Sequence, residues 1–277
     1  VVSSDPRSPP PVGGALALST HGLRRTFGDF VAVDGIDLAV PEGSFYGFLG
    51  PNGAGKSTTI KCLTGLLRPS AGSVRILGLD PERETVAVKR KVGVVPEDLA
   101  LFDRLTGAEN LAFVARVHGL DRATFERRAA ELLELLELAD AAAVLAADYS
   151  HGMRKKLSLA MALLASPRLL FLDEPFEGID AVPSRLVKRF LLEFTGRGGT
   201  VFLTSHVLEI VERLADHVGI IHRGRLVAQG PIAELRTRGA AGDRSDDPTA
   251  ARSLEDLFLG IVGATASDEP ALEWLGA

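Results

Sequence analysis

The run Gly50-Pro51-Asn52-Gly53-Ala54-Gly55-Lys56-Ser57-Thr58 carries the most specific chemistry in the chain. It fits G-x-x-x-x-G-K-[ST] in full, a pattern whose glycines let backbone N–H groups wrap closely around an anion. Lys56 is placed to reach the β- and γ-phosphates of a nucleoside triphosphate, and the Ser57 hydroxyl to hold Mg²⁺. A glycine-rich turn with a chance Lys-Ser pair is the competing reading, and the flanks argue against it. Residues 44–49 form a short, mostly apolar strand entering the run, and Ile60, Leu63 and Leu67 follow at helical spacing. A helix N-terminus with its partial positive charge then points at the phosphates, so the chain is expected to handle ATP or GTP.

Phosphoryl transfer to water also needs a metal ligand and a group that polarises the nucleophile, and the phosphate loop supplies only part of that. Leu169-Leu170-Phe171-Leu172-Asp173-Glu174-Pro175 has the form of a buried strand that ends in paired carboxylates. Asp173 is placed to hold Mg²⁺, directly or through water, and Glu174 to polarise the attacking water. His206 closes the next apolar run, so in a parallel sheet it shares an edge with both acids. There it would hydrogen-bond the γ-phosphate or the attacking water.

These residues need a framework, and the rest of the chain supplies one in three sections. Residues 15–40 read as strands with turns at Gly28-Asp29 and Asp34-Gly35, and further strands are expected at 74–77 and 92–95. The middle section is rich in Ala, Leu and Glu. Thr106 and Glu109 form a capping box, Asp121 caps a second helix with Phe125, Ala129, Leu132, Leu133 and Leu136 on its apolar face, and a third follows Ser150-His151-Gly152. Three successive helices predict a helical subdomain inserted over about 98–166. Strand and helix then alternate (169–172, 183–194, 200–203, 208–215, 218–221), the rhythm of a parallel sheet covered by helices. Residues 1–14 are expected to be a disordered leader, 238–252 a polar linker, and 254–262 a helix that docks back within a tail of 253–277.

Composition bounds the function. A chain of 277 residues with a net charge of -5 and no long basic run offers nucleic acid no electrostatic footprint. Cys62 is the only cysteine, so no internal disulfide forms, and a buried thiol in a reducing cytoplasm is expected. The longest apolar stretch, 157–165, is too short to span a bilayer.

With these pieces in order, residues 16–235 resemble the ATP-binding cassette (ABC) ATPases. The resemblance implies an α/β P-loop NTPase core with a mixed sheet, an N-terminal antiparallel β part and an inserted α-helical subdomain. It implies that Phe27, before Gly28, stacks on adenine, where the family commonly has Tyr. Glu97 falls where the family has the Q-loop glutamine, and as a carboxylate it would meet Mg²⁺ or the attacking water. Ser150-His151-Gly152-Met153 takes the place of the signature motif, with Ser150 and Gly152 kept to touch the γ-phosphate held by the opposite subunit. Gly178-Ile179-Asp180 looks like the D-loop, with Asp180 meeting the partner's phosphate loop. The Tyr149-Ser150-His151-Gly152-Met153 form and Leu254-Glu255-Asp256-Leu257-Phe258-Leu259 look like the ATPase subunits of ABC-2 type exporters.

The resemblance implies a head-to-tail homodimer, or a paired cassette, that sandwiches two Mg-ATP. It also implies a separate transmembrane permease on whose cytoplasmic face the chain sits peripherally. Hydrolysis would use Glu174 as base, His206 as its assistant and Lys56 on the phosphates. Two alternatives stay open at this level: a soluble non-transport ABC ATPase, and a nucleotide-dependent interaction module that does not hydrolyse. Only about a hundred residues separate the phosphate loop from Asp173, which leaves no room for a long coiled-coil arm. Intact Asp173, Glu174 and His206 argue against a module without hydrolysis.

Overall fold

The computed structural model describes residues 14–176 and 181–240 together with Leu254, Glu255 and Phe258, with the backbone alone for 181–186 and 237–240. The chain enters through β1 (Leu16–Phe27), turns at Gly28-Asp29 into β2 (Phe30–Ile36), and continues to β3 (Ala39–Pro41). The Asp34-Gly35 turn expected from sequence is a bulge inside β2. Leu23 and Arg25, two residues apart, face Ile36 and Val33, three apart, and Gly35 takes up the extra residue at φ 67°.

Next come β4 (Phe45–Leu49), α1 (Lys56–Leu63) and β5 (Ala71–Ile76), which pairs antiparallel with β1. Helix α1 ends at Leu63, so Leu67 lies beyond it and packs from the connecting turn. A short α2 (Thr85–Lys89) and β6 (Val92–Val95) lead to three helices, α3 (Gly107–His118), α4 (Arg122–Leu135) and α5 (His151–Leu164). Their N-caps follow the sequence. Thr106 and Glu109 close a reciprocal capping box, Asp121 accepts from the Thr124 amide, and Ser150 accepts from the Met153 amide.

The chain then runs through β7 (Leu169–Asp173), α6 (Ala181–Gly196), β8 (Thr200–Ser205), α7 (Leu208–Leu214), β9 (His217–His222), β10 (Arg225–Pro231) and α8 (Ile232–Ala240). Sequence patterning placed a linker from 238, whereas α8 continues to Ala240. The leader at 1–13, the remainder of the linker, and all of the tail except Leu254, Glu255 and Phe258 lie outside the described residues. Leu254 is buried, and its amide donates to the Glu212 carboxylate.

The main sheet has the order β10-β9-β4-β8-β7-β6, parallel except for the β9–β10 pair. Its central strands are apolar on both faces and sort their side chains by alternation. Phe45, Leu49, Leu170, Leu172, Val201 and Leu203 face the helices, whereas Tyr46, Phe48, Phe171 and Phe202 face the antiparallel β part and α1. Phe202 is the hub of that second core, with the rings of Tyr46, Phe48 and Phe171 centred 5.5, 5.4 and 5.6 Å away. Such burial removes three adjacent strands from water and fixes their register, since a one-residue slip would exchange the two cores. The order β4-β8-β7 therefore holds the strand ends Leu49, Ser205 and Asp173 at one carboxyl edge.

Candidate active site

The phosphate loop bridges β4 and α1 and is braced from two sides. The Gly224 amide, in the β9–β10 turn, donates to the Ala54 carbonyl, and the Asp34 amide, in the β2 bulge, donates to the Gly224 carbonyl. Gly55 sits at φ 108°, where an added Cβ would lie 2.5 Å from the Ala32 carbonyl oxygen, so β2 closes on the loop too tightly for any side chain. The bulge missed in sequence thus supports the loop that sequence identified.

Lys56 begins α1 and is only 6% exposed. Its ammonium donates to the Gly50 carbonyl at 2.8 Å and stands 3.4 Å from Glu174 Oε1. The Ser57 hydroxyl lies 3.2 Å from Glu97 Oε2 and 3.4 Å from Asp173 Oδ1. Burial pushes the Asp173 carboxyl above the usual carboxylate range. Hydrogen bonds from Thr204 and Ser57 oppose that shift, and the charges of Glu97 and Glu174 add to it.

At the edge shared by β7 and β8, the Thr204 hydroxyl donates to Asp173 Oδ1 at 2.6 Å and accepts from the Glu174 amide at 3.1 Å. The Glu174 carboxylate is 3.1 Å from His206 Nδ1 through Oε2 and also accepts from the His206 amide at 3.3 Å. Its other oxygen, Oε1, is buried and makes no hydrogen bond among the described residues; the Lys56 ammonium stands beside it. A cavity of about 390 Å³ opens over these groups, lined by Phe30, Asn52, Lys56, Glu97, Glu174 and His206 among others. Larger hollows elsewhere, of about 450 and 810 Å³, lack this convergence of a phosphate loop, carboxylates and a histidine.

The structure therefore brings together Lys56, Ser57, Glu97, Asp173, Glu174 and His206, as well as Asn52, Gly53 and Thr58 from the loop. Gly50 takes part through its carbonyl, as Pro51 does at 3.4 Å from Lys56 Nζ, and Ala54 is buried beneath the loop. Phe27 is not on the cavity wall. One side of its ring carries the Arg25 guanidinium at 4.5 Å, and its cross-strand partner Phe30 lines the cavity instead, 65% exposed. Ser150 and Gly152 stand at the start of α5, outside this cavity wall. Asp180 lies outside the described residues.

Three site residues escaped the sequence reading. Phe30 shows only once the hairpin register pairs it with Phe27. Thr204, two residues before His206, was legible as the polar end of an apolar strand. Lys155 donates from α5 to the Glu174 carbonyl at 3.0 Å, a contact between segments that no local pattern joins.

The fold and this site define a P-loop nucleoside triphosphatase with helices inserted between β6 and β7. A family model described as "ABC transporter" matches residues 33–177. The daunorubicin/doxorubicin resistance ATP-binding protein DrrA of Streptomyces peucetius is 42% identical over 262 residues, 92% of this chain and 79% of that protein. The bacitracin transport ATP-binding protein BcrA of Enterococcus faecalis is 35% identical over 246 residues, 87% of this chain and 79% of that one. Among solved structures, an ATP-binding subunit of an ABC transporter superposes with a TM-score of 0.80 at 30% identity, covering 88% of this chain and 99% of that chain. The chain belongs to the ABC transporter family. It is an ATP-binding, ATP-hydrolysing subunit of a transporter, and among the described residues no helix is long and apolar enough to cross a membrane.

Proposed function

We propose that two copies of this chain pair head to tail around two ATP molecules and drive a separate membrane subunit, on its cytoplasmic face, as an exporter. The observation that carries this reading is the placement of the buried Glu174 carboxylate between Lys56 and His206 above the phosphate loop. Lys56 now rests on the Gly50 carbonyl and beside Glu174. Phosphate oxygens are stronger acceptors for an ammonium than a neutral carbonyl, so a bound triphosphate draws Lys56 away and leaves Glu174 Oε1 free to polarise water. His206, held against Oε2, orients that carboxylate and takes part in contacts to the γ-phosphate or the water.

The donor set suits Mg²⁺. Ser57, Asp173 and Glu97 offer hard oxygens around one hydroxyl. Bound with ATP, the ion supplies charge neutralisation at the phosphate oxygens. Phe30, on the cavity wall and paired across the hairpin with Phe27, offers a π-face to the base.

Ser150 and Gly152, at the α5 N-terminus and away from this cavity, fit contacts to the γ-phosphate of the opposite copy, with Asp180 at the same interface. Exposed Phe102 and Phe113, edge to face at 4.5 Å and just beyond Glu97, are a suitable seat for the membrane subunit. A relative named for daunorubicin/doxorubicin resistance supports the exporting direction. A direct test is Lys56→Ala, which should abolish steady-state ATP hydrolysis and weaken nucleotide binding. Hydrolysis at the wild-type rate would remove the phosphate-loop assignment.

A further inference from the structure

Glu174 has an unusual backbone for the residue proposed to face water. Its φ is 47°, in the left-handed region that costs a residue with a side chain, and such positions persist only where the surroundings fix them. Both of its main-chain polar groups are taken by side chains from other elements. The amide donates to Thr204 Oγ1 at the end of β8, and the carbonyl accepts from Lys155 Nζ on α5 at 3.0 Å.

Lys155 is itself only 7% exposed. A buried ammonium is costly unless its hydrogen-bonding directions are used, so its placement against the Glu174 carbonyl constrains both residues. Lys155 also lies just over one helical turn from Ser150, the N-cap of α5. One rigid helix therefore carries at its tip the groups proposed to meet the opposite nucleotide, and within its second turn the cation that holds the Glu174 backbone.

We propose that Lys155 is a positioning residue that couples engagement of the α5 N-terminus to the aim of the Glu174 carboxylate. The inference rests on the proposed roles of Glu174 as base and of Ser150 and Gly152 at the dimer interface. When α5 seats against the opposite nucleotide, Lys155 holds the Glu174 main chain in its left-handed conformation and keeps the carboxylate over the phosphate loop. Without that tie, ATP still binds and the pair still closes, but the carboxylate is displaced. A displacement of about 1 Å costs up to roughly a hundredfold in rate.

The test compares Lys155→Met, which keeps the stem and removes the ammonium, with Lys155→Arg, which restores a cation. Steady-state ATPase gives kcat and KM separately, fluorescent-nucleotide titration gives affinity, and light scattering in a Glu174→Gln background reports ATP-driven pairing. Lys155→Met should lower kcat by about tenfold to a hundredfold while KM and affinity stay within about twofold. Pairing should persist, and Lys155→Arg should recover most of the rate. An unchanged kcat, or a fall in affinity matching the fall in kcat, would overturn the proposal. If Lys155→Met does not fold, Lys155→Gln is judged by the same outcomes. Glu174→Gln tested alone separates the two levels. Full hydrolysis by that variant removes the base assignment, whereas a dead Glu174→Gln beside a fully active Lys155→Met removes only the coupling.

Discussion

His206 Nδ1 lies 3.1 Å from Glu174 Oε2, although the two residues come from the ends of different strands. The parallel pairing of β7 with β8, in which Asp173 faces Thr204, brings the two residues to one edge once the aromatic and aliphatic layers lock the register. Because the His206 amide also donates to Glu174, the carboxylate is fixed by main chain and side chain together.

His206→Ala should therefore keep one of the two anchors. Nucleotide affinity should stay near wild type, while kcat falls by about a hundredfold or more, the usual scale for losing a group that assists proton transfer. Separate measurement of binding and turnover checks this. A matching loss in both would place His206 in substrate binding alone.

Thr204→Val removes the hydroxyl that serves Asp173 and the Glu174 amide at once. It leaves a buried amide without an acceptor, at a cost of about 1–3 kcal/mol. Chemical denaturation should show that loss, and ATPase activity should fall with it because the Glu174 backbone is no longer held.

Phe30→Ala should weaken ATP binding by at least about fivefold, the lower end of what stacking of a base on an aromatic ring contributes. Phe27→Ala should have the smaller effect, since Phe27 is off the cavity wall and is backed by Arg25. Titration with a fluorescent nucleotide analogue checks the order, and a reversed order would return the base to Phe27.

Acid should loosen the helical part through its caps. Backbone hydrogen bonding first, and side-chain hydrogen bonding second, hold Glu109 below its ordinary value through Thr106 and Asp121 below its own through Thr124. Groups depressed on folding contribute stability above the usual carboxylate range of about 4, and that contribution is lost as pH falls through their folded values. A Glu109→Gln/Asp121→Asn variant keeps the caps without the titration. Its urea midpoint should drop less than wild type's between about pH 5 and pH 3. Equal drops would assign the acid sensitivity to other groups.

Much of the site was legible because its parts are local. The phosphate loop, the Asp173-Glu174 pair and the caps at Thr106, Asp121 and Ser150 each declare themselves within a few residues. What was not legible depends on pairing across the chain. The Asp34-Gly35 bulge looks like a turn until β1 sets the count opposite it, and Phe30 is indistinguishable from any strand aromatic until it faces Phe27. Strand β10 and helix α8 were passed over. β10 is only partly buried, and its alternation is broken by a register shift between Leu226 and Ala228.

In the proposed pairing, this cavity is half of a site completed by the α5 N-terminus of a second copy. Light scattering of Glu174→Gln with ATP and Mg²⁺ tests it most directly. The variant should bind without turnover and accumulate as a dimer that reverts to monomer when nucleotide is removed, and Ser150→Tyr added to it should abolish the dimer. A Glu174→Gln protein that binds ATP yet stays monomeric at every nucleotide and protein concentration would contradict the claim.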